Sequence, residues 1–293
     1  LPERKYIDAF SDKNFLKFDV DIDYAKSNAQ TDGNAPTYPV KKSAPDAVVD
    51  GTTFPQWIDL GGVAKGYAAD VARKIVSQHT SDFCIDTGAS SIILGNNHGG
   101  GDFEVSVIDP YDYNAAFPQT IFSVNQRNAA ISTSGLYVRN YVSQGARYTH
   151  IIDCDSGMPV SGGAESVTVV IQDEDYAAAK SDCLTTAICA MSATEIADFV
   201  SKLSDCGAYL AALYLTDGGA KQLLTNLPQN RINGSDKNFS SQMFALTQTD
   251  SGWAYDPSAG VKSASDVKTI GIVVAVSVAV VTVAVCITIA LIR

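Results

Sequence analysis

Asp182 and Thr186 stand four residues apart in the segment Ala177-Ala178-Ala179-Lys180-Ser181-Asp182-Cys183-Leu184-Thr185-Thr186. The alanines favour helix, and on a helix residues at i and i+4 leave the same face. A carboxylate and a hydroxyl then converge on one point, which is the oxygen chemistry that a hard cation such as Mg2+ prefers. Such a pair is more often a solvated helix face, so it needs company. Some comes from Arg147-Tyr148-Thr149-His150-Ile151-Ile152-Asp153. Here a base-capable histidine and a carboxylate flank β-branched residues in a predicted strand, which a turn at Asp155-Ser156-Gly157-Met158-Pro159 closes.

A second stretch, Asp59-Leu60-Gly61-Gly62-Val63-Ala64-Lys65-Gly66-Tyr67-Ala68-Ala69-Asp70, runs on to Val76 with helical periodicity. An apolar strand end, two glycines and a helix start let backbone amides approach an anionic ligand. Lys65 adds a point charge for a phosphate. A tight strand-to-helix connection with Lys65 in solvent fits the pattern equally well.

The elements that must position these groups follow from pattern. Residues 1 to 50 are polar and irregular apart from a strand pattern at Phe15 to Asp23. Phe83 to Gly95 reads as strand, turn, strand, with Asp86-Thr87-Gly88-Ala89-Ser90 placed in the domain core. Asp102 to Pro110 alternates at period two, and Gln119 to Ser134 reads as one further strand ending in Ser132-Thr133-Ser134-Gly135. Those hydroxyls either line a cleft or cap a helix-like Leu136 to Tyr141. Val167 to Ile171 is a buried strand. Asp173 to Ala190 and Thr194 to Leu203 are predicted helices with Asp173 and Thr194 as N-caps, and Gly207 to Thr216 is a buried strand closed by Asp217-Gly218-Gly219. Strands and helices interleave in one α/β or α+β domain.

A net charge of −11 argues against a nucleic-acid surface. Six cysteines show neither CxxC nor zinc-ligand spacing, so no disulfide framework is implied. From Ile270 to Ile292 the chain carries no charge, and at about 1.5 Å per residue this run crosses a hydrocarbon layer of roughly 30 Å. It is expected to be a transmembrane helix, reached through a Ser/Lys/Gly linker over 258–269.

Taken together, the Asp59 to Ala68 block, Ser132-Thr133-Ser134-Gly135, Arg147 to Asp153 with Gly157 and Pro159, Ser166-Val167-Thr168-Val169, and Asp182 to Thr186 resemble the ApbE family, the FAD:protein FMN transferases. The blocks run in order over residues 57–217. The chain departs from the family at Cys154, where a proline is usual, and in the Asp86 to Ser90 loop. The family's N-terminal portion is not recognisable in residues 1–58.

The resemblance implies a single soluble ApbE-like domain, α/β (α+β), N-terminally incomplete: residues 1–56 a partial segment, 57–257 the core, then the linker and a span at 270–292. It implies a bacterial enzyme that uses Mg2+ to split FAD at its pyrophosphate and passes FMN to a Ser or Thr hydroxyl of an acceptor protein, releasing AMP. In that family pattern Asp182, Thr186 and the Gly62 carbonyl hold the metal, Asp59, Lys65 and Ile152 contact FAD, and His150 is the base. The catalytic domain is then expected outside the cytoplasm, tethered to the cell membrane, with no nucleic-acid partner. A Mg2+-dependent FAD pyrophosphatase and a non-catalytic flavin-binding surface protein are the alternatives.

Overall fold

The computed structural model describes residues 47–54, 60–88, 90–111, 113, 118–153, 156–172, 174–205, 207–215, 221–234, 244–250 and 252–259. Its centre is a six-stranded sheet in the order β12 (Lys221–Thr225), β11 (Ala208–Leu215), β10 (Ser166–Gln172), β7 (Ala129–Gly135), β4 (Ser91–Leu94), β3 (Cys84–Asp86). All pairings between these strands are antiparallel. The interleaved helices therefore do not make parallel crossovers, and the class is α+β.

Successive side chains of a strand point to opposite faces, and here both faces are covered. Val167, Val169 and Ile171 of β10 pack with Ala69, Ala178, Ile188 and Ile196 of three helices: α1 (Ala64–Val76), α2 (Ala177–Cys189) and α3 (Ala193–Asp205). Val170 faces the other way. It joins Ala211 and Leu213 against Val107, Phe122, Val124 and Ile232 of a three-stranded sheet ordered β13 (Ile232–Gly234), β6 (Thr120–Gln126), β5 (Phe103–Ile108). Burial on both faces explains why β10 reads as a nearly continuous apolar run.

Several sequence expectations change. The predicted strand over Gln119 to Ser134 is two strands, broken at Arg127-Asn128, where Asn128 takes φ 47°. Asparagine tolerates that left-handed conformation, and the break sends β6 and β7 into different sheets. The helix expected over Leu136 to Tyr141 is absent. A hairpin of β8 (Asn140–Ser143) and β9 (Ala146–Thr149) takes its place, turning at Gln144-Gly145 with φ 50° and 79°. Both positive values match the turn whose twist suits a two-residue hairpin.

The Asp86 to Ser90 turn is edge rather than core: β3 pairs only β4 among the described strands, and Asp86 is exposed. A further hairpin, β1 (Ala47–Val49) with β2 (Thr52–Phe54), lies where no order was expected, and β14 (Leu246–Thr249) pairs β15 (Gly252–Tyr255). In α3, Ser192 rather than Thr194 is the cap. Its amide and hydroxyl donate to Glu195 Oε2, both at 2.7 Å, and Glu195 N returns a bond to Ser192 Oγ at 3.3 Å, which completes a capping box. Asp173 lies outside the described residues. Cys84, Cys183 and Cys189 are free thiols, and burial pushes the Cys189 thiol up to about 12.

Candidate active site

The glycine-rich stretch builds a turn and then α1. Val63 and Ala64 amides both donate to the Leu60 carbonyl, at 3.0 and 2.8 Å, and the chain passes straight into helix. Lys65 and Gly66 thus sit in the first turn of α1, where amides have no intrahelical acceptor. The Gly66 amide finds one across the helix pair: it donates to Asp182 Oδ2 at 3.0 Å. Gly66 is at this position because nothing larger fits, since a Cβ there would lie 2.1 Å from the Ala178 carbonyl oxygen.

Asp182 is fully buried. Its Oδ1 accepts no hydrogen bond from the described residues, and its compensation is the Lys65 ammonium 3.3 Å away. Lys65 Nζ also donates to the Gly61 carbonyl at 3.2 Å, and its side chain keeps 39 % of its surface exposed, so it bridges a buried carboxylate to solvent. One turn along α2 the Thr186 hydroxyl lies against Gly62, where a Cβ would meet Oγ1 at 3.2 Å. Gly62, Lys65, Asp182 and Thr186, drawn from two stretches more than a hundred residues apart, therefore meet at one place.

The hydroxyls of β7 hold α2 in register from below. Ser132 Oγ lies 2.6 Å from Ser181 Oγ, and Ser134 Oγ lies 2.8 Å from Thr185 Oγ1 and 3.4 Å from Thr186 Oγ1. Thr133, between them, points to the opposite face and bonds Thr168 at 2.9 Å. Ser132 and Ser134 thus anchor the helix that carries Asp182, and neither caps a helix over Leu136 to Tyr141.

His150 follows β9 and is exposed. Its Nδ1 lies 3.2 Å from the Arg139 carbonyl oxygen. A carbonyl only accepts, so this bond places the ring proton on Nδ1 and leaves the Nε2 lone pair free in the neutral ring. With Arg139, Asn140, Tyr141, Tyr148 and Thr149 it lines an open groove on the β8–β9 hairpin. Tyr141 and Tyr148 stack there at 5.2 Å and 12°. Arg147 anchors the hairpin by an ion pair with Glu165, which raises the guanidinium pKa further. Ile152 is exposed at the following turn, where it bridges Pro159. Asp59 lies outside the described residues.

Residues 25–210, well over half of the chain, match the ApbE family. The chain belongs to the ApbE family. A stretch of 115 residues is 35 % identical to an FAD:protein FMN transferase of Klebsiella pneumoniae, covering 39 % of this chain and 32 % of that protein. Over 151 residues it is 31 % identical to an FAD:protein FMN transferase of Rhodobacter capsulatus, covering 49 % and 27 %. The matched stretch thus spans about a third of the length of these relatives, or less. The crystal structure of the ApbE protein from Thermotoga maritima superposes with a TM-score of 0.52 at 29 % identity, covering 76 % of this chain and 62 % of that one.

Three groups of the site, Asp182, Thr186 and Gly62, have the chemistry to hold a hard divalent cation. Asp182 offers a buried oxygen that accepts no hydrogen bond from the described residues, and the Thr186 hydroxyl and the Gly62 backbone stand beside each other. No group of three His, Cys, Asp or Glu side chains converges among the described residues. A cation here would draw instead on one carboxylate, one hydroxyl and main-chain oxygen, and Mg2+ would suit such a site because it keeps several waters. Sequence pattern missed two residues of this ApbE helix pair. Gly66 and Asp70 looked like ordinary helix positions, and their only signal was a spacing of four that puts them on one face of α1.

Proposed function

We propose that this ApbE chain transfers FMN from FAD to a Ser or Thr hydroxyl of an acceptor protein and releases AMP, with Mg2+ required. The convergence of Lys65, Asp182, Thr186 and Gly62 at the joined ends of α1 and α2 supports it most directly. Asp182, Thr186 and the Gly62 carbonyl would hold Mg2+, which when bound neutralises charge on the diphosphate oxygens. The Lys65 side chain, partly in solvent, is placed to offer its ammonium to a phosphate oxygen. His150 Nε2 takes the proton of the acceptor hydroxyl as that oxygen bonds the FMN phosphorus. The bond to the bridging oxygen breaks, and AMP departs with it. The groove beside His150, with its stacked tyrosines, is where the acceptor segment would reach that nitrogen. Asp59 and Ile152 are proposed as further FAD contacts.

Mass spectrometry of an acceptor protein incubated with FAD, Mg2+ and the enzyme tests this. The expected result is an FMN adduct of the acceptor. Free FMN and AMP without an adduct would show a pyrophosphatase instead, and unchanged FAD a binding protein only. A positioned general base contributes roughly 10²- to 10⁴-fold, so His150→Ala is expected to slow transfer by about that factor while FAD binding changes little. A loss of binding with no loss of rate per bound FAD would make His150 a structural residue of the hairpin.

Membrane attachment belongs to the same proposal. Among the described residues no helix is long and apolar enough to cross a membrane, and the 270–292 run lies outside them. Its uncharged length supports a span that holds the preceding domain at the outer face of the cell membrane. Protease added to intact protoplasts should digest that domain without lysis; protection until lysis would place it in the cytosol.

A further inference from the structure

The helix that carries Asp182 and Thr186 lacks a cap of its own. Tyr176, at the N-cap of α2, takes φ 60°, offers no side-chain bond, and is followed by no acidic residue in the first turn. The amides of that turn, which have no acceptor within their own helix, are taken by another helix. Ala178 N donates to Asp70 Oδ1 at 3.2 Å and Ala179 N to Asp70 Oδ2 at 2.8 Å, so one carboxylate of α1 satisfies two orphan donors of α2. The favour is returned one turn earlier on α1, where the Gly66 amide donates to Asp182 Oδ2 at 3.0 Å. Each helix therefore caps the other, with an aspartate from its second turn placed against its partner's first.

Crossed caps constrain more than one does. The β7 hydroxyls hold α2 from the sheet side at Ser181, Thr185 and Thr186, and the bonds at Ala178, Ala179 and Asp182 fix its rotation and its rise on the side that faces α1. Rotation decides whether Asp182 Oδ1 and the Thr186 hydroxyl face Gly62, because residues at i and i+4 share one narrow face. Backbone contact at Gly66 leaves little slack in which a misplaced helix could settle.

We infer that Asp70 is a positioning residue for the cation site, holding α2 in the rotation that aims Asp182 and Thr186 at the Gly62 turn. At 1 % exposure it touches no ligand itself. The inference rests on the proposal that Asp182 and Thr186 hold a divalent cation. Groups that orient metal ligands change metal affinity by about 10- to 100-fold when removed, whereas a cap that serves stability alone changes only the melting temperature.

The test is Mn2+ binding, read by electron paramagnetic resonance of free Mn2+, in the wild type, Asp70→Ala, Asp70→Asn and Asp182→Asn, with thermal unfolding of each. Asp70→Ala is expected to bind Mn2+ about 10- to 100-fold more weakly while still unfolding cooperatively. In the transfer assay its Mg2+ requirement should rise by the same factor, with the rate largely restored at saturating Mg2+. Asp70→Asn keeps one acceptor oxygen, so it should fall between wild type and alanine, and it carries the test if the alanine variant does not fold. Wild-type Mn2+ affinity in both variants, with only a lower melting temperature, overturns the positioning role and leaves the cation site standing. Wild-type Mn2+ affinity in Asp182→Asn, or no binding by the wild type, overturns the cation site and Asp70's role with it.

Discussion

Asp182→Asn is expected to lower the proposed Mg2+-dependent FMN transfer on the order of a thousandfold while leaving the domain folded. The asparagine keeps a carbonyl oxygen where Asp182 Oδ2 accepts the Gly66 amide, so the α1–α2 contact survives. What it loses is the charge of a fully buried carboxylate whose Oδ1 faces Lys65 and the proposed cation. A bound metal stabilises developing charge by several kcal/mol, and about 4 kcal/mol corresponds to that factor at 1.36 kcal/mol per tenfold. Asp182→Ala should be as slow and also less stable, because it orphans the buried Gly66 N–H at roughly 1–3 kcal/mol. Rates across a Mg2+ titration, with melting temperatures of both variants, separate the two effects. Asp182→Asn turning over at the wild-type rate at limiting Mg2+ would falsify the assignment.

That comparison depends on a dual role which sequence alone does not show. Asp182 was legible as a ligand candidate because its partner Thr186 is four residues away on the same helix. Its second role, as cap to α1, joins Gly66 to a residue 116 positions along the chain. Asp70 was illegible for the same reason: the amides it satisfies lie 108 and 109 positions away. Local pattern reports local partners. The helices α1 and α2 themselves were anticipated, since amphipathic period and alanine content are properties of the segment that forms them.

The β8–β9 hairpin failed for a different reason. Leu136 to Tyr141 is too short for period to separate helix from strand, and the deciding signal, two positive φ values at Gln144-Gly145, lies beyond it. Glycine announces such a turn and glutamine does not. The placement of His150 follows from that hairpin, so its groove was unforeseen although the residue itself was singled out.

Gly66→Ala should produce a large loss of stability from a single added methyl group. The added Cβ would lie 2.1 Å from the Ala178 oxygen, 2.5 Å from its carbonyl carbon and 2.8 Å from Ala179 Cα. All three are backbone atoms of the first turn of α2, so no side chain can rotate aside. Ordinary contact near 3.4 Å requires the helices to part by about 1.3 Å there. The bonds they would stretch are the Gly66 amide to Asp182 and the Asp70 carboxylate to Ala178 and Ala179. Overpacking of this kind costs about 1–3 kcal/mol, and a lost cap adds about 1–2 kcal/mol. A total near 4 kcal/mol is a large fraction of a typical domain stability of about 5–15 kcal/mol, and at about 2–4 °C per kcal/mol it lowers the melting temperature by roughly 10 °C. Gly62→Ala is the matched control. The three atoms nearest its Cβ all belong to the Thr186 side chain, at 3.2 to 3.4 Å, so it should melt close to wild type yet bind Mn2+ poorly. Circular-dichroism melts of the two variants decide it: equal melting temperatures would mean that α1 and α2 do not depend on backbone contact at Gly66.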